Sequence, residues 1–236
     1  MKILGILGSP DPRGGSAQLL LTALKAAEKE GLSTEVVRVY EREIKPCMGC
    51  IRNEEPKCKF PCIFEDYGKE LLVKIYNSDG LILSTPIYWF GPSGPLKLLV
   101  DRMTCLENMI SFGEPSYMEG KVVGVIAVGA DAGAIFTGAY LITTLNSMGA
   151  IVPPWALAYS YKSKKAIFDK KAVMDALNIG ILTAKTIKLL KGEKQELRYI
   201  QDEELYQKIK EEVIKTLELY PEEIYHEKRP FRRSSI

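Results

Sequence analysis

At 236 residues, 46% of them hydrophobic, the chain can bury one sizeable core with room for an appended piece. A net charge of +2 with both signs interspersed leaves no basic footprint for nucleic acid, and no apolar run approaches the ~20 residues that span a bilayer. The chain opens on a strand rather than a signal segment, so a cytoplasmic protein is expected, and its single histidine, His226, argues against His-based catalysis or a His-ligated metal.

The first strand, Ile3-Leu4-Gly5-Ile6-Leu7, is a short apolar run of the kind covered on both faces of a parallel sheet. It drops into Gly8-Ser9-Pro10-Asp11-Pro12-Arg13-Gly14-Gly15-Ser16, and a helix over 17–29 follows. Leu20, Ala23, Leu24 and Ala27 share one helical face, Ser16 stands at the N-cap and Gly31 is the stop. A small polar loop before a helix N-terminus offers N–H groups, hydroxyls and a dipole to an anion. The loop lacks both the lysine of Walker A and the G-x-G-x-x-G spacing. Ser9, Ser16 and Arg13 suit a phosphate monoester held without metal, although an ordinary Gly- and Ser-rich turn would read alike.

A β-branched run over 34–40 is the second strand. Residues 41–65 then show neither helical period nor alternation, and a connection so long inside a domain is functional or tied down by something other than a core. It carries Cys47, Cys50, Cys58 and Cys62, while Cys105 stands apart and reads as a small buried hydrophobe. In a cytosolic chain such clustering points to metal or redox work, and four thiolates suit a [4Fe-4S] cluster, a structural zinc, a labile disulfide or free thiols.

Asp66 is placed to cap a helix through Tyr76, and Gly80 to Leu83 is the third strand. Tyr88, Trp89 and Phe90 follow on a loop, where adjacent aromatics call for a planar ligand or another subunit to cover them. A helix over 95–102, a strand over 121–128, a nearly side-chain-free loop over 129–133 and a helix to about 148 come next. The fifth strand is expected over 150–157, at a sheet edge or bulged because of Pro153-Pro154. Five alternating units make a doubly wound α/β sheet, whose ligands sit beyond the carboxyl ends of the strands. Helices over 170–191 and 202–219 are expected to pack on the sheet or on a partner subunit, and 228–233 to be a mobile, solvated basic tail.

Gly8-Ser9-Pro10 with Gly14-Gly15-Ser16, Lys45-Pro46-Cys47-Met48-Gly49-Cys50, Thr85-Pro86-Ile87-Tyr88-Trp89 and Leu96-Lys97-Leu98-Leu99-Val100-Asp101-Arg102 together resemble the NAD(P)H-dependent FMN reductases and iron-sulfur flavoproteins of the flavodoxin-like superfamily. The resemblance covers residues 1–160, which it makes the FMN-binding domain, with 161–236 as a helical extension. It implies that Ser9, Arg13, Ser16, Ala17 and Gln18 hold the FMN phosphate. The isoalloxazine would lie on Pro86, Ile87, Tyr88, Trp89, Phe90 and Gly91, with Gly129 and Ala130 on its other side. It implies NAD(P)H as co-substrate, a flavin, quinone or similar acceptor, and a homo-oligomer. The alternative it offers is an electron carrier between a ferredoxin-type donor and FMN, through iron rather than zinc at Cys47, Cys50, Cys58 and Cys62. The chain departs from the compact iron-sulfur cysteine pattern at Asn53, where the third cysteine would stand.

Overall fold

Hydrophobic runs that are buried on both faces set the architecture. The computed structural model describes residues 1–51 and 57–220; Asn53, His226 and the basic tail lie outside the described residues. Five strands, β1 (Lys2–Leu7), β2 (Ser33–Arg38), β3 (Gly80–Pro86), β4 (Val122–Val128) and β5 (Leu157–Ser160), form one sheet in the order β2-β1-β3-β4-β5. Every neighbouring pair is parallel, as the sequence predicts, and this strand order is the flavodoxin-like one, with its switch point between β1 and β3.

Alternate residues of each strand feed two cores. On one face Ile3, Leu7, Ile82 and Ile126 pack beneath α1 (Gly15–Lys29) and α6 (Lys170–Leu190), with α7 (Glu203–Glu218) outside them. On the other, Leu4, Ile6, Leu81, Leu83 and Val125 meet α2 (Tyr67–Tyr76), α3 (Gly94–Arg102) and α5 (Ala134–Ser147). The helix α6 is no loose appendage: a Cβ on Gly180 would sit 1.9 Å from the Ala23 carbonyl oxygen, so only glycine lets α6 approach α1 this closely. The one-turn helix α4 (Thr104–Glu107) and the 3-10 segments Asn108–Phe112 and Ser163–Phe168 had no signal in the sequence pattern.

Three boundaries differ from expectation. The first helix begins at Gly15, with Gly14 rather than Ser16 at its N-cap, so Ser16 lies inside the first turn. β3 runs on to Pro86 instead of ending at Leu83. β5 is displaced from 150–157 to Leu157–Ser160, because Pro153 and Pro154 have no N–H for a ladder; upstream of them only an isolated bridge, Val122 to Ile151, survives. The Asp66 cap forms as expected, its carboxylate accepting from the Lys69 N–H at 3.1 Å. Among the described residues no helix is long and apolar enough to cross a membrane.

Candidate functional site

β1, β3 and β4 end at the same edge of the sheet, and their loops close on one another there. The Gly8 N–H donates to the Ser84 carbonyl at 2.7 Å, and the Ser84 hydroxyl donates to the Ser16 carbonyl at 2.7 Å, so β3 holds both ends of the first loop. Inside it, the Asp11 N–H donates to the Ser9 hydroxyl at 3.2 Å and the Arg13 N–H to the Asp11 carboxylate at 2.9 Å. Among the described residues no side chain caps α1, which leaves its first-turn N–H groups available to an anion.

These residues line a cleft of about 260 Å³. Of the positions singled out in the sequence, it brings together Ser9, Ser16, Pro86, Ile87, Tyr88, Gly129 and Ala130. It adds Asp11 from the first loop, and Ser163 and Lys164 from the connection between β5 and α6. Gly129 is required where it stands, since a Cβ would meet the Ile87 side chain at 2.8 Å.

The side chains of two further expected phosphate ligands, Arg13 and Gln18, are engaged elsewhere. The Arg13 Nε donates to the Tyr220 carbonyl at 2.7 Å and its Nη2 to the Glu218 carbonyl at 3.1 Å, where the end of α7 presents unpaired carbonyls to a cation. Gln18, 6% exposed, donates from Nε2 to the carbonyls of Arg13 (2.8 Å) and Lys164 (2.9 Å) and accepts at Oε1 from the Ile167 N–H (2.9 Å). It bolts the Ser163–Phe168 segment onto α1. The Ala17 side chain is buried in the core, and its N–H is among those of the first turn.

Trp89, Phe90 and Gly91 face a second, wider recess of about 790 Å³, completed by Pro92, Lys97, Phe136 and Tyr140. The loop folds back sharply: the Tyr88 N–H donates to the Gly91 carbonyl at 2.9 Å and the Gly91 N–H to the Tyr88 carbonyl at 3.1 Å. Trp89 and Phe90 are thereby held at φ of 50° and 65°, the left-handed pair that such a two-residue turn demands and that Asn-Gly usually fills. Each such residue costs on the order of 1–3 kcal/mol and persists only where its surroundings impose it. The strain leaves Trp89 96% exposed, while Phe90 packs edge-to-face on Phe136 with ring centroids 6.2 Å apart.

The family model for NADPH-dependent FMN reductases matches residues 1–163, the part of the chain that contains every loop of this edge but Lys164. The chain belongs to the NADPH-dependent FMN reductase family. An iron-sulfur flavoprotein of Methanocaldococcus jannaschii is 41% identical over 131 residues, covering 55% of this chain and 63% of that protein. One from Archaeoglobus fulgidus is 31% identical over 160 residues, 67% of this chain and 69% of its own length. Among solved structures, RosB with a bound formylated riboflavin phosphate intermediate superposes with a TM-score of 0.68 at 19% identity, over 100% of this chain and 94% of that one. An NADH:FMN oxidoreductase in its apo form gives 0.54 at 22% identity, over 83% and 91%. At these identities the structures speak for the flavodoxin-like fold alone.

Within this FMN reductase family member the cysteine loop forms its own polar centre, beside α3. Arg102, 1% exposed, donates from Nη1 to the Asp66 carboxylate (2.9 Å) and the Lys45 carbonyl (3.0 Å), and from Nη2 to Asp66 again (3.1 Å). Its Nε donates to the Cys62 Sγ at 3.1 Å, and its guanidinium lies 4.7 Å from the centre of the Phe64 ring. Burial works against the Asp66 charge, but hydrogen bonds from Arg102, Lys45 and Lys69 outweigh it and hold this carboxyl below its usual range. Cys58 is pushed up to about 12, first by burial and then by the neighbouring thiols of Cys50, Cys47 and Cys62. Burial likewise raises Cys105, whose thiol neighbours are Cys62 and Cys58. The other three loop thiols thus lie near enough to Cys58 to disfavour its thiolate, and four thiols are a donor set chemically suited to a cluster or zinc. Among the described residues, however, no three Cys, His, Asp or Glu side chains close into a metal-holding arrangement.

Proposed function

We propose that the protein is an FMN-dependent oxidoreductase that takes hydride from NAD(P)H and delivers it to a flavin, quinone or similar acceptor. One observation supports this above the others: an uncapped helix N-terminus with two buried hydroxyls shares its cleft with a loop whose strained turn displays aromatic rings. FMN, when bound, supplies the hydride chemistry, so the chain needs no acid or base of its own.

Ser9, Ser16 and the first-turn N–H groups of α1 hold the phosphate end. Pro86, Ile87, Gly129 and Ala130 grip the ring system along the ends of β3 and β4 and exclude water from its edge. Tyr88 lines the cleft itself, while Trp89, Phe90, Phe136 and Tyr140 offer planar apolar surface in the adjoining recess, where a nicotinamide or an acceptor ring stacks. A second subunit that covers Trp89 completes this recess in a homo-oligomer, which light scattering on the purified protein tests. The experiment for the main reading is addition of FMN to the apoprotein, followed by NADH and NADPH oxidation with free FMN or a quinone as acceptor. Stoichiometric yellow protein with turnover is expected; failure to bind FMN overturns the reading.

Four cysteines on one loop, together with relatives named iron-sulfur flavoproteins, favour a second reading: an electron carrier in which Cys47, Cys50, Cys58 and Cys62 hold iron and a ferredoxin-type protein is the donor. Anaerobic reconstitution with iron, sulfide and zinc assays separates the two. Iron and sulfide bound in cluster stoichiometry select the carrier; neither metal selects the plain reductase.

A further inference from the structure

We infer that Lys164, carried on the connection between β5 and α6, is the cation that pairs with the phosphate end of the flavin nucleotide and so selects FMN over riboflavin. The inference rests on the FMN reading above.

Lys164 is the one lysine or arginine among the described residues that line the cleft, which it shares with Ser9, Gly14, Gly15 and Ser16. Arg13, the cation that the loop itself supplies, spends its guanidinium on the carbonyls of Glu218 and Tyr220. Asp11 also lines the cleft, so the loop alone brings a negative charge to a site meant for a dianion. An opposing positive charge is needed on the far wall, and that wall is the Ser163–Phe168 segment.

The segment is fixed there by design of the sequence. Gln18 ties its backbone at two points, through the Lys164 carbonyl and the Ile167 N–H, while Ala166 and Ile167 are buried beneath it. A Cβ on Gly15 would fall 1.9 Å from the Ser163 carbonyl oxygen, so the strap crosses the first residue of α1 at a distance that only glycine permits. Ser163 itself sits at φ 41°, a left-handed conformation imposed on a side-chain-bearing residue at the point of crossing. The backbone on either side of the Lys164 side chain is therefore held against the phosphate loop, and Lys164 stands among the residues that line the cleft.

The test measures FMN and riboflavin dissociation constants for the wild type, Lys164→Ala and Lys164→Arg, with thermal unfolding of each apoprotein as a check on folding. For Lys164→Ala the FMN constant is expected to rise by about 10- to 100-fold, the worth of one charge-assisted hydrogen bond, with riboflavin unchanged. Lys164→Arg should restore most of the loss, and added salt should weaken FMN binding less in Lys164→Ala than in the wild type. An equal loss for riboflavin would mean that the residue only shapes the cleft, and an unchanged FMN constant in Lys164→Ala would show that the phosphate is held without it; either overturns the assignment. A wild type that binds neither flavin brings down the FMN reading itself, and this inference with it.

Discussion

The first loop and the cysteine loop are held by opposite means. Residues 8–16 are fixed by main chain: Gly8 bonded to β3, Gly15 pressed beneath Ser163, and a helix that starts without a side-chain cap. The cysteine loop hangs on side chains: a buried guanidinium that reaches Asp66, Lys45 and Cys62 at once, the Asn108 amide that donates to the Cys58 carbonyl at 2.7 Å, and Phe60 stacked on Tyr76. A site made of backbone tolerates exchange of most of its side chains, whereas a loop hung on side chains is loosened by the loss of any one of them. The contrast separates a cleft built on backbone from a thiol loop that is sensitive to single side-chain substitutions.

The largest effect should come from Arg102→Leu. Removing one partner of a buried, hydrogen-bonded pair costs about 3–5 kcal/mol, because the Asp66 charge is left without compensation. Urea unfolding should show that loss, and thiol labelling should find Cys62 newly reactive; Asp66→Asn combined with Arg102→Leu should recover part of the stability. If Arg102→Leu unfolds at the wild-type midpoint, the loop is secured by something else.

On the opposite side of the comparison, replacing Ser9 and Ser16 together by Ala should leave stability nearly unchanged while FMN binding weakens, with about 1.5–3 kcal/mol expected per charge-assisted hydrogen bond lost. Riboflavin should be indifferent, as titration by flavin fluorescence would show. Gly15→Ala probes the backbone directly. Its methyl group collides with the Ser163 carbonyl, and overpacking of this kind costs about 1–3 kcal/mol, read as a lower urea midpoint together with weaker FMN binding.

Phe90→Gly should act in two directions. Relief of the left-handed strain at φ 65° should stabilise the fold by up to about 1 kcal/mol, while loss of the ring should weaken the stacking of a planar co-substrate, seen as a higher KM for NAD(P)H. A destabilised Phe90→Gly protein would show that the ring's contact with Phe136 outweighs the strain.

The smallest effect lies at the far edge of the sheet and serves as a control for both loops. Lys121, 8% exposed, donates from Nζ to the carbonyls of Tyr76 and Ser78, and its pKa is lowered to about 8, by burial first, with Asp79 opposing and Lys191 reinforcing. A lysine whose folded pKa lies below its unfolded value penalises the fold while both states are charged, below pH ~8, and the penalty fades as pH rises toward the unfolded value. Stability of the wild type minus that of Lys121→Met should therefore climb between about pH 8 and 10. A flat difference would mean that the carbonyl partners cancel the cost of burial.

What was legible in the sequence follows the same division. The five parallel strands, the three loops at one edge and the Asp66 cap could be read because each depends on residues adjacent in the chain: apolar runs, Gly and Ser before a helix, a carboxylate three residues ahead of the N–H it caps. Arg13 and Gln18 could not be placed, because their partners at Tyr220, Lys164 and Ile167 are brought in by α6 and α7 from the other end of the chain. The role of Lys164 was hidden for that reason, and no local pattern marks it. Arg102 stands at the end of the helix expected over 95–102, and nothing local marks it as buried, since its carboxylate partner lies 36 residues upstream. β5 was misplaced by an apolar run in which two prolines forbid the ladder.

The seam between α1 and α6 has a consequence for how the chain is made. A ribosome releases the whole of the sheet, and everything the family match covers, before it releases residues 170–190. Until then Ile3, Ile82, Ile126 and the inner side of α1 have no cover from α6, and Gly180 has not yet reached Ala23. Synthesis of residues 161–190 is therefore the interval in which the nascent chain shows the most apolar surface, and the stage at which a chaperone that recognises such surface would bind it.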